Sequence, residues 1–506
     1  MIAGSDRLPE LLASHILLAA AALLLGLAIA LPLSVWAARS PHVRRAALGF
    51  ASLVQTIPTL ALLALFYPVL LGLSALMGGG VPALGFLPSL LALALYALLP
   101  ILRNSVAGLT GIDPAVREAA DGVGMTEWQT LRLVEAPLAA PVLMAGIRTA
   151  AVWTIGAATL ATTVGYPTLG DLIFAGLQTQ DWALVTTGCV TAAALALIAD
   201  ALLGLIERGI AVRRRGLIAL GSALLLVGVA AASAPKLVPQ PETVTVGAKG
   251  FSEQYILARL IGRRLEAAGY RVQYREGLGS VVAFRALSAG DVDVYVDYAG
   301  TIWANDMKRR NIAPPRIMVG EIGRWARKQH GVALVGPLGF ENAYAIAVRD
   351  ADAKRVGLRT LDDLARAAPG MTLGSDLEFL ERPEWAAVRD AYGLRFAAAR
   401  TYSPTFMYRA IDSGAADAIS AFSSDGRIAA QHLAVLADPR HAIPSYDALL
   451  LVSPGRARDS RFIAALKPLV GHIGIEAMRE ANYSVDRDRE KRTPAQAAAW
   501  LDARIH

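Results

Sequence analysis

Cysteine, charge in the first half of the chain and a phosphate-binding loop are all scarce or missing, and each shortage removes a class of function. One cysteine, Cys189, stands among 506 residues. No intrachain disulfide can form, and no zinc site can be built on thiolates. Cys189 falls in an apolar run, where a lone cysteine acts as a small hydrophobe. The seven histidines are scattered without HExxH-type spacing, so no metal site is recognisable. No GxxxxGKS/T loop occurs, so any ATP that drives this protein is bound by another chain, and no cofactor is expected in this one. Gly277-Leu278-Gly279-Ser280 lacks the rest of a dinucleotide fingerprint and reads as a turn or helix start. No Ser/His/Asp group sits in a persuasive context, which argues against an enzyme.

What the chain does have is a change of character near Pro235. Upstream lie six apolar runs, at 16–38, 48–73, 83–102, 138–160, 186–206 and 216–234. Runs of about 18 residues or more are long enough to cross the hydrocarbon core of a bilayer. The first is too long and too poorly flanked for a cleaved signal peptide and reads as a retained helix. The net charge of +7 is concentrated in particular loops. Arg39, Arg44 and Arg45 follow the first run, Arg103 the third, and Arg208 and Arg213 to Arg215 the fifth, whereas 74–82 and 161–185 hold no Lys or Arg. The positive-inside rule makes the Arg-bearing loops cytoplasmic and puts both chain ends outside. This placement calls for a lipid bilayer and not for nucleic acid. Within the runs Arg148 and Asp200 are the main ionisable residues, thin support for an ion-coupled carrier.

The polar interval 103–136 holds Arg117 to Gly124, then Met125-Thr126-Glu127-Trp128, and closes on Val134-Glu135-Ala136-Pro137. Asp113 caps a helix with Pro114 in its first turn, and Gly122 to Gly124 permit a turn into a second short helix through Leu131 and Leu133. Glu118-Ala119-Ala120, Gly124 and Pro137 resemble the EAA signature of ABC importer permeases, with Val134 and Ala136 where isoleucine and leucine are usual. The resemblance implies that 113–137 is the coupling segment, and that Glu118, Ala119, Ala120 and Gly124 meet a separate ABC ATPase, present in two copies. Leu169-Gly170-Asp171 with Gly176 resembles an outer-loop pattern of osmoprotectant permeases.

Downstream, the proline-rich stretch 235–242 reads as an extended linker. Strand-like Val244 to Gly247, Tyr270 to Tyr274 and Val292 to Val296 alternate with helical patterns, which predicts a mostly parallel α/β sheet. The 264 residues from 243 to 506 suffice for two lobes, with crossings near Ala345 to Val348 and Pro444 to Asp447. Val246 to Gln254, Asp297 to Thr301, Asn342 to Ala345, Gly374 to Phe379 with Arg382-Pro383, Ala421 to Asp425 and Pro444 to Asp447 resemble the solute-binding proteins of osmoprotectant importers, which bind glycine betaine, choline or carnitine. A quaternary ammonium donates no conventional hydrogen bond and is held by aromatic faces, each contact contributing about 0.5–2 kcal/mol. Carried over, the family's aromatic box falls on Tyr298, Tyr344, Phe422 and Tyr446. Lys249, Thr301 and Arg382 fall where a ligand carboxylate is held, a task that suits the planar fork of arginine. A single tyrosine more often packs than binds; the separated matches, taken together, favour binding.

The resulting expectation is an α-helical transmembrane domain of about six helices, of ABC importer permease type (1–234). An α/β two-lobed periplasmic-binding-protein domain follows (243–506), with lobe 1 at about 243–345 and 446–506 and lobe 2 at about 346–445. The chain would be a homodimer in a bacterial inner membrane, multi-pass, its C-terminal domain periplasmic, importing a small quaternary-ammonium compound with ATP hydrolysed on the separate subunit. Ergothioneine, a trimethylammonium betaine with a thioimidazole, ranks second because Ala304 and Asn305 offer that ring little acidic recognition. A membrane-anchored solute sensor is the alternative of another class, but it needs no EAA segment.

Overall fold

The computed structural model describes residues 7–77, 81–179, 181–237, 243–309, 313–440, 442–487 and 489–505. The chain divides into two compact units, Met1–Ile173 with Ala183–Gln240, and Phe174–Trp182 with Pro241–His506.

The N-terminal unit is helical: α1 (Leu8–Arg39), α2 (Pro41–Thr56), α3 (Thr59–Leu76), α4 (Phe86–Thr110), α5 (Pro114–Gly122), α6 (Glu127–Thr130), α7 (Ala136–Ala158), the start of α8 (Gly170–Gln178), α9 (Trp182–Ala211) and α10 (Arg215–Leu237). Among the described residues five helices are long and apolar enough to cross a membrane, or there are six spans if α2 and α3 form one broken span. The run 48–73 is therefore not one straight helix. Its two halves meet at 103° around Ile57-Pro58. Proline lacks the N–H a helix needs and pushes the residue before it to extended geometry, and Ile57 has ψ 123°. The helix–turn–helix expected over 113–137 also differs in its second half. From Glu127 the chain stays helical into α7, through a π-helical turn at Leu131–Glu135. That wider turn lets Pro137 enter without the clash it would make in regular α geometry. Inside this unit α1, α4 and α7 meet through small side chains, with Ala22, Ala30, Ala97 and Ala150 buried, as expected where backbones approach closely in lipid.

At the start of the expected linker, Pro235 to Leu237 are the last residues of α10, and 238–242 lie outside the described residues. The second unit then carries two five-stranded sheets. The first orders its strands β2-β1-β3-β10-β4, from β1 (Thr243–Lys249), β2 (Arg271–Leu278), β3 (Val294–Tyr298), β4 (Ala333–Glu341) and β10 (Asp447–Val452). The second is β7-β6-β8-β5-β9, from β5 (Tyr344–Arg349), β6 (Thr372–Ser375), β7 (Ala398–Thr401), β8 (Ala418–Phe422) and β9 (Leu433–Val435). In each sheet four of the five strands point the same way, as the alternation predicts, and one runs against them. β2, β1 and β3 run parallel, as do β7, β6 and β8, but β10 and β5 are antiparallel to both of their neighbours. Those two strands begin where the chain arrives from the other lobe, which reverses their direction. The first crossing is Asn342-Ala343, between β4 and β5; Ala345 to Val348 are already strand residues of the second lobe. After β1 comes α11 (Ser252–Ala267), whose apolar face, Ile256, Leu257, Leu260 and Ile261, is buried in the core.

Candidate functional site

A cavity of about 150 Å³ opens in the C-terminal unit, lined from both lobes, and all seven residues expected to bind ligand line it: Lys249, Tyr298, Thr301, Tyr344, Arg382, Phe422 and Tyr446. The strand ends explain the placement. Lys249 ends β1, Tyr298 ends β3, Tyr344 opens β5 and Phe422 ends β8, so each side chain stands where its sheet gives way to a loop. Tyr344 pairs directly with Phe422 across the second sheet.

Tyr344 is the centre of the aromatic wall. Its ring centroid lies 4.5 Å from Phe379, 5.0 Å from Phe422 and 5.7 Å from Tyr446, the last edge-on at 89°. Tyr298 stands apart from that cluster and stacks with Phe251 at 6.2 Å. The Tyr446 ring lies so close over Gly300 that a Cβ there would meet it at 2.5 Å, so only glycine leaves the ring its position. Tyr298, Tyr344, Phe422 and Tyr446 thus bring aromatic surface to one cavity, the kind of surface a cation without hydrogen-bond donors needs.

The charged residues are already organised. Lys249 Nζ pairs with fully buried Asp297, which also accepts from Tyr295 Oη at 2.5 Å and from the Tyr298 amide at 2.7 Å. Arg382 donates to Tyr446 Oη at 3.1 Å and lies 5.3 Å over the Tyr344 ring, while Tyr446 donates to Glu384. Burial, with Glu384 beside it, drives the Tyr446 phenol well above its usual range, so it stays a donor. Arg427 grips Asp425 with Nε and Nη2, at 3.0 and 2.6 Å, and lies over the Tyr408 ring at 4.1 Å. Asp486 accepts from Ser252 Oγ at 2.5 Å and is pushed up to about 6 by burial. Asp306, just beyond Thr301, is pushed up to about 7 by burial and the nearby Asp297 charge, and its Oδ2 is buried without a hydrogen-bond partner.

Several cavity residues escaped sequence reasoning. Phe251 and Glu253 fall inside the matched stretch that begins at Val246 but were passed over for Lys249. Asn342 marks the crossing, and Asn482 interrupts the buried face of the helix Ile475–Asp486 formed by Met478, Ala481 and Val485. A polar residue on such a face was the available signal. Ala304 and Asn305 are not among the lining residues, whereas Asp376, Asp425 and Asp486 are. The acidic groups are thus supplied by segments other than the one inspected.

In the N-terminal unit, Asp113 caps α5 by accepting from the Ala115 amide at 2.9 Å, and Gly124 makes the following turn with φ 78°. Glu118 and Ala119 are exposed and Ala120 is buried against the unit. Val123, Trp128 and Leu133 leave an apolar surface around them. Behind that surface, buried Glu135 holds Arg117 at 2.7 Å and Arg39, from the end of α1, at 3.7 Å. Arg148 of α7 meets Asp200 at 2.7 Å and Glu207 at 2.8 Å, both on α9.

Comparison with known proteins matches residues 242–503 to the substrate binding domain of ABC-type glycine betaine transport systems, and residues 30–212 to the binding-protein-dependent transport system inner membrane component. The ergothioneine transport permease/ergothioneine binding protein EgtU of Helicobacter pylori (strain G27) is 29% identical over 474 residues, 90% of this chain and 83% of that protein. The glycine betaine/carnitine/choline transport system permease protein OpuCB of Bacillus subtilis (strain 168) is 41% identical over 194 residues, 38% of this chain and 84% of that protein. A crystal structure of a glycine betaine/carnitine/choline ABC transporter covers 51% of this chain and 97% of its own, at 26% identity and a TM-score of 0.46. The chain belongs to the ABC-type glycine betaine transport family, as a multi-pass membrane permease fused to its own substrate-binding domain in an importer of the osmoprotectant/ergothioneine type.

Proposed function

We propose that this chain imports a small trimethylammonium compound of the glycine betaine, choline or carnitine kind, acting as receptor and permease at once. The observation that carries this reading is the set of rings around Tyr344, with Tyr298 lining the same cavity. A trimethylammonium head is bulky, charged and unable to donate a conventional hydrogen bond, which matches π faces better than it matches polar groups. Arg382 and Thr301 are the groups for a carboxylate at the other end of the ligand. Lys249 is a weaker candidate for that task, because Asp297 already takes its charge.

Transport is driven by two copies of a separate ABC ATPase, docked where Glu118, Ala119, Gly124 and the apolar surface of Val123, Trp128 and Leu133 stand exposed, with buried Ala120 supporting them from behind. Two chains pair around one pathway. The Arg-bearing loops face the cytoplasm and α10 provides the sixth crossing, with α2 and α3 as one broken span, so the binding domain is periplasmic. Ergothioneine is the second reading. It is favoured by the relative named for that ligand, which matches 90% of this chain, and by the cavity carboxylates Asp376, Asp425 and Asp486, which can accept from a thioimidazole N–H.

The test is uptake of labelled glycine betaine, choline, carnitine, ergothioneine and proline by cells that lack their own carriers and express this chain with its ATPase. Accumulation of a trimethylammonium compound, with proline excluded, supports the reading. Accumulation of none of the four trimethylammonium compounds contradicts it.

A further inference from the structure

Each cation that lines the cavity has a carboxylate on it or near it: Lys249 meets Asp297, Arg382 lies near Glu384, and Arg427 meets Asp425. Glu253 is different. It lines the same cavity and is only 3% exposed, yet among the described residues no Lys, Arg or His pairs with it. Its partners are neutral donors. Oε1 accepts from Tyr298 Oη at 2.6 Å and from Asn342 Nδ2 at 3.1 Å, and Oε2 accepts from Asn482 Nδ2 at 2.9 Å. The Ser424 side chain hydrogen-bonds to it as well.

The direction of these bonds matters. Gln254 Nε2 donates to Tyr298 Oη at 2.9 Å, which leaves the phenol proton for Glu253. Hydroxyl and amide hydrogens therefore converge on this carboxylate, the arrangement that suits an acceptor-only anion. A buried anion without a cation is costly, and its environment then favours whatever positive charge enters. Burial accordingly raises the Glu253 carboxyl from its usual range, against the pull of its four donors.

Glu253 also sits where the lobes meet. Asn342 is the crossing between them, Ser424 follows β8 of the second lobe, and Asn482 donates to the Ser424 carbonyl oxygen at 2.9 Å as well as to Glu253. The wall residue it touches, Tyr298, is one of the box rings. A phenol that donates to a carboxylate carries more electron density on its ring, and a richer ring attracts a cation more strongly.

We infer that Glu253, acting through the phenol of Tyr298, is the residue that makes this site select a positively charged head over a neutral head of the same size and shape. This rests on the trimethylammonium reading and adds to it the group that senses the charge. Glu253 is a specificity-determining residue on the cavity lining that acts through the ring it holds, and it need not touch the ligand.

The test is calorimetric titration of the full-length chain in nanodiscs with two matched pairs. They are choline against tert-butylethanol, and glycine betaine against tert-butylacetate; within each pair a neutral carbon replaces the charged nitrogen. The wild type prefers the charged member. In Glu253→Gln that preference falls by about tenfold or more, while Glu253→Asp, which keeps the charge, retains most of it. Tyr298→Phe, which breaks the link without touching the carboxylate, lowers the preference several-fold and serves if Glu253→Gln does not fold. Three results overturn the proposal: a preference unchanged in Glu253→Gln, a preference unchanged in Tyr298→Phe, or equal loss for both members of a pair, which marks a packing role. A wild type that binds none of choline, glycine betaine, carnitine and ergothioneine removes the quaternary-ammonium reading and this proposal together. A wild type that binds choline or glycine betaine, with the preference intact in the variants, removes only the role of Glu253.

Discussion

At its helix contacts the membrane unit buries alanines such as Ala22, Ala30, Ala97 and Ala150, and among the described residues its buried carboxylates are few, Glu135 beside Arg117 among them. The C-terminal unit buries Lys249, Glu253, Asp297, Asp376, Arg382, Glu384, Asp425 and Asp486 on the cavity or on a residue that lines it, with Glu276, paired with Arg259, apart from them. Burying charge costs free energy that apolar packing does not. A chain that carries that cost in one unit and avoids it in the other keeps chemical recognition in the first and close packing in the second. The membrane unit instead has exposed residues at Glu118, Ala119 and Asp121 to Gly124, the stretch proposed above to meet the ATPase.

That contrast can be broken in order of effect. Glu118→Lys removes uptake to background while ligand affinity stays at the wild-type value; uptake that survives would detach the exposed segment from coupling. Tyr344→Ala reverses the pattern, because three neighbouring rings lose their common contact. Affinity falls by roughly tenfold to a hundredfold, measured by titration, and unchanged affinity removes Tyr344 from the site. Arg148→Met leaves the carboxylates of Asp200 and Glu207 facing each other without their cation. It lowers the thermal midpoint of the chain but leaves affinity within about twofold, since the recognition chemistry lies elsewhere. Asp200→Asn with Glu207→Gln in the same chain restores part of that loss.

The smallest effect is tied to pH. Asp306 is held at about 7, above the ordinary carboxylate value near 3.8. The folded state therefore keeps a proton that the unfolded chain has lost, and stability falls as pH rises from about 4 through 7. Asp306→Asn mimics the protonated form. It raises the thermal midpoint at pH 8 by about 2–4 °C, and the difference narrows toward pH 4. A gain of the same size at both pH values would contradict the assignment.

The aromatic lining was legible because its members are large aromatics inside stretches that resemble a family; that they line one cavity is what the structure adds. Glu253 was not legible. Its role depends on Asn482, 229 positions away, and on Asn342, 89 positions away, and no local pattern links them. The antiparallel strands β5 and β10 were hidden for a related reason, since alternation of strand and helix gives order along the chain and not direction in the sheet. The break at Ile57-Pro58 was in plain view, but mean hydropathy over 48–73 counts proline as one residue among many and is blind to the bend it forces.

The central claim is that the cavity holds a trimethylammonium head. The most direct measurement is calorimetric titration of the purified full-length chain with glycine betaine, choline, carnitine, ergothioneine and proline. The account predicts saturable binding of at least one trimethylammonium compound, lost in Tyr344→Ala, with no heat from proline. Binding of proline with silence from the other four, in a sample whose folding is verified, would contradict it.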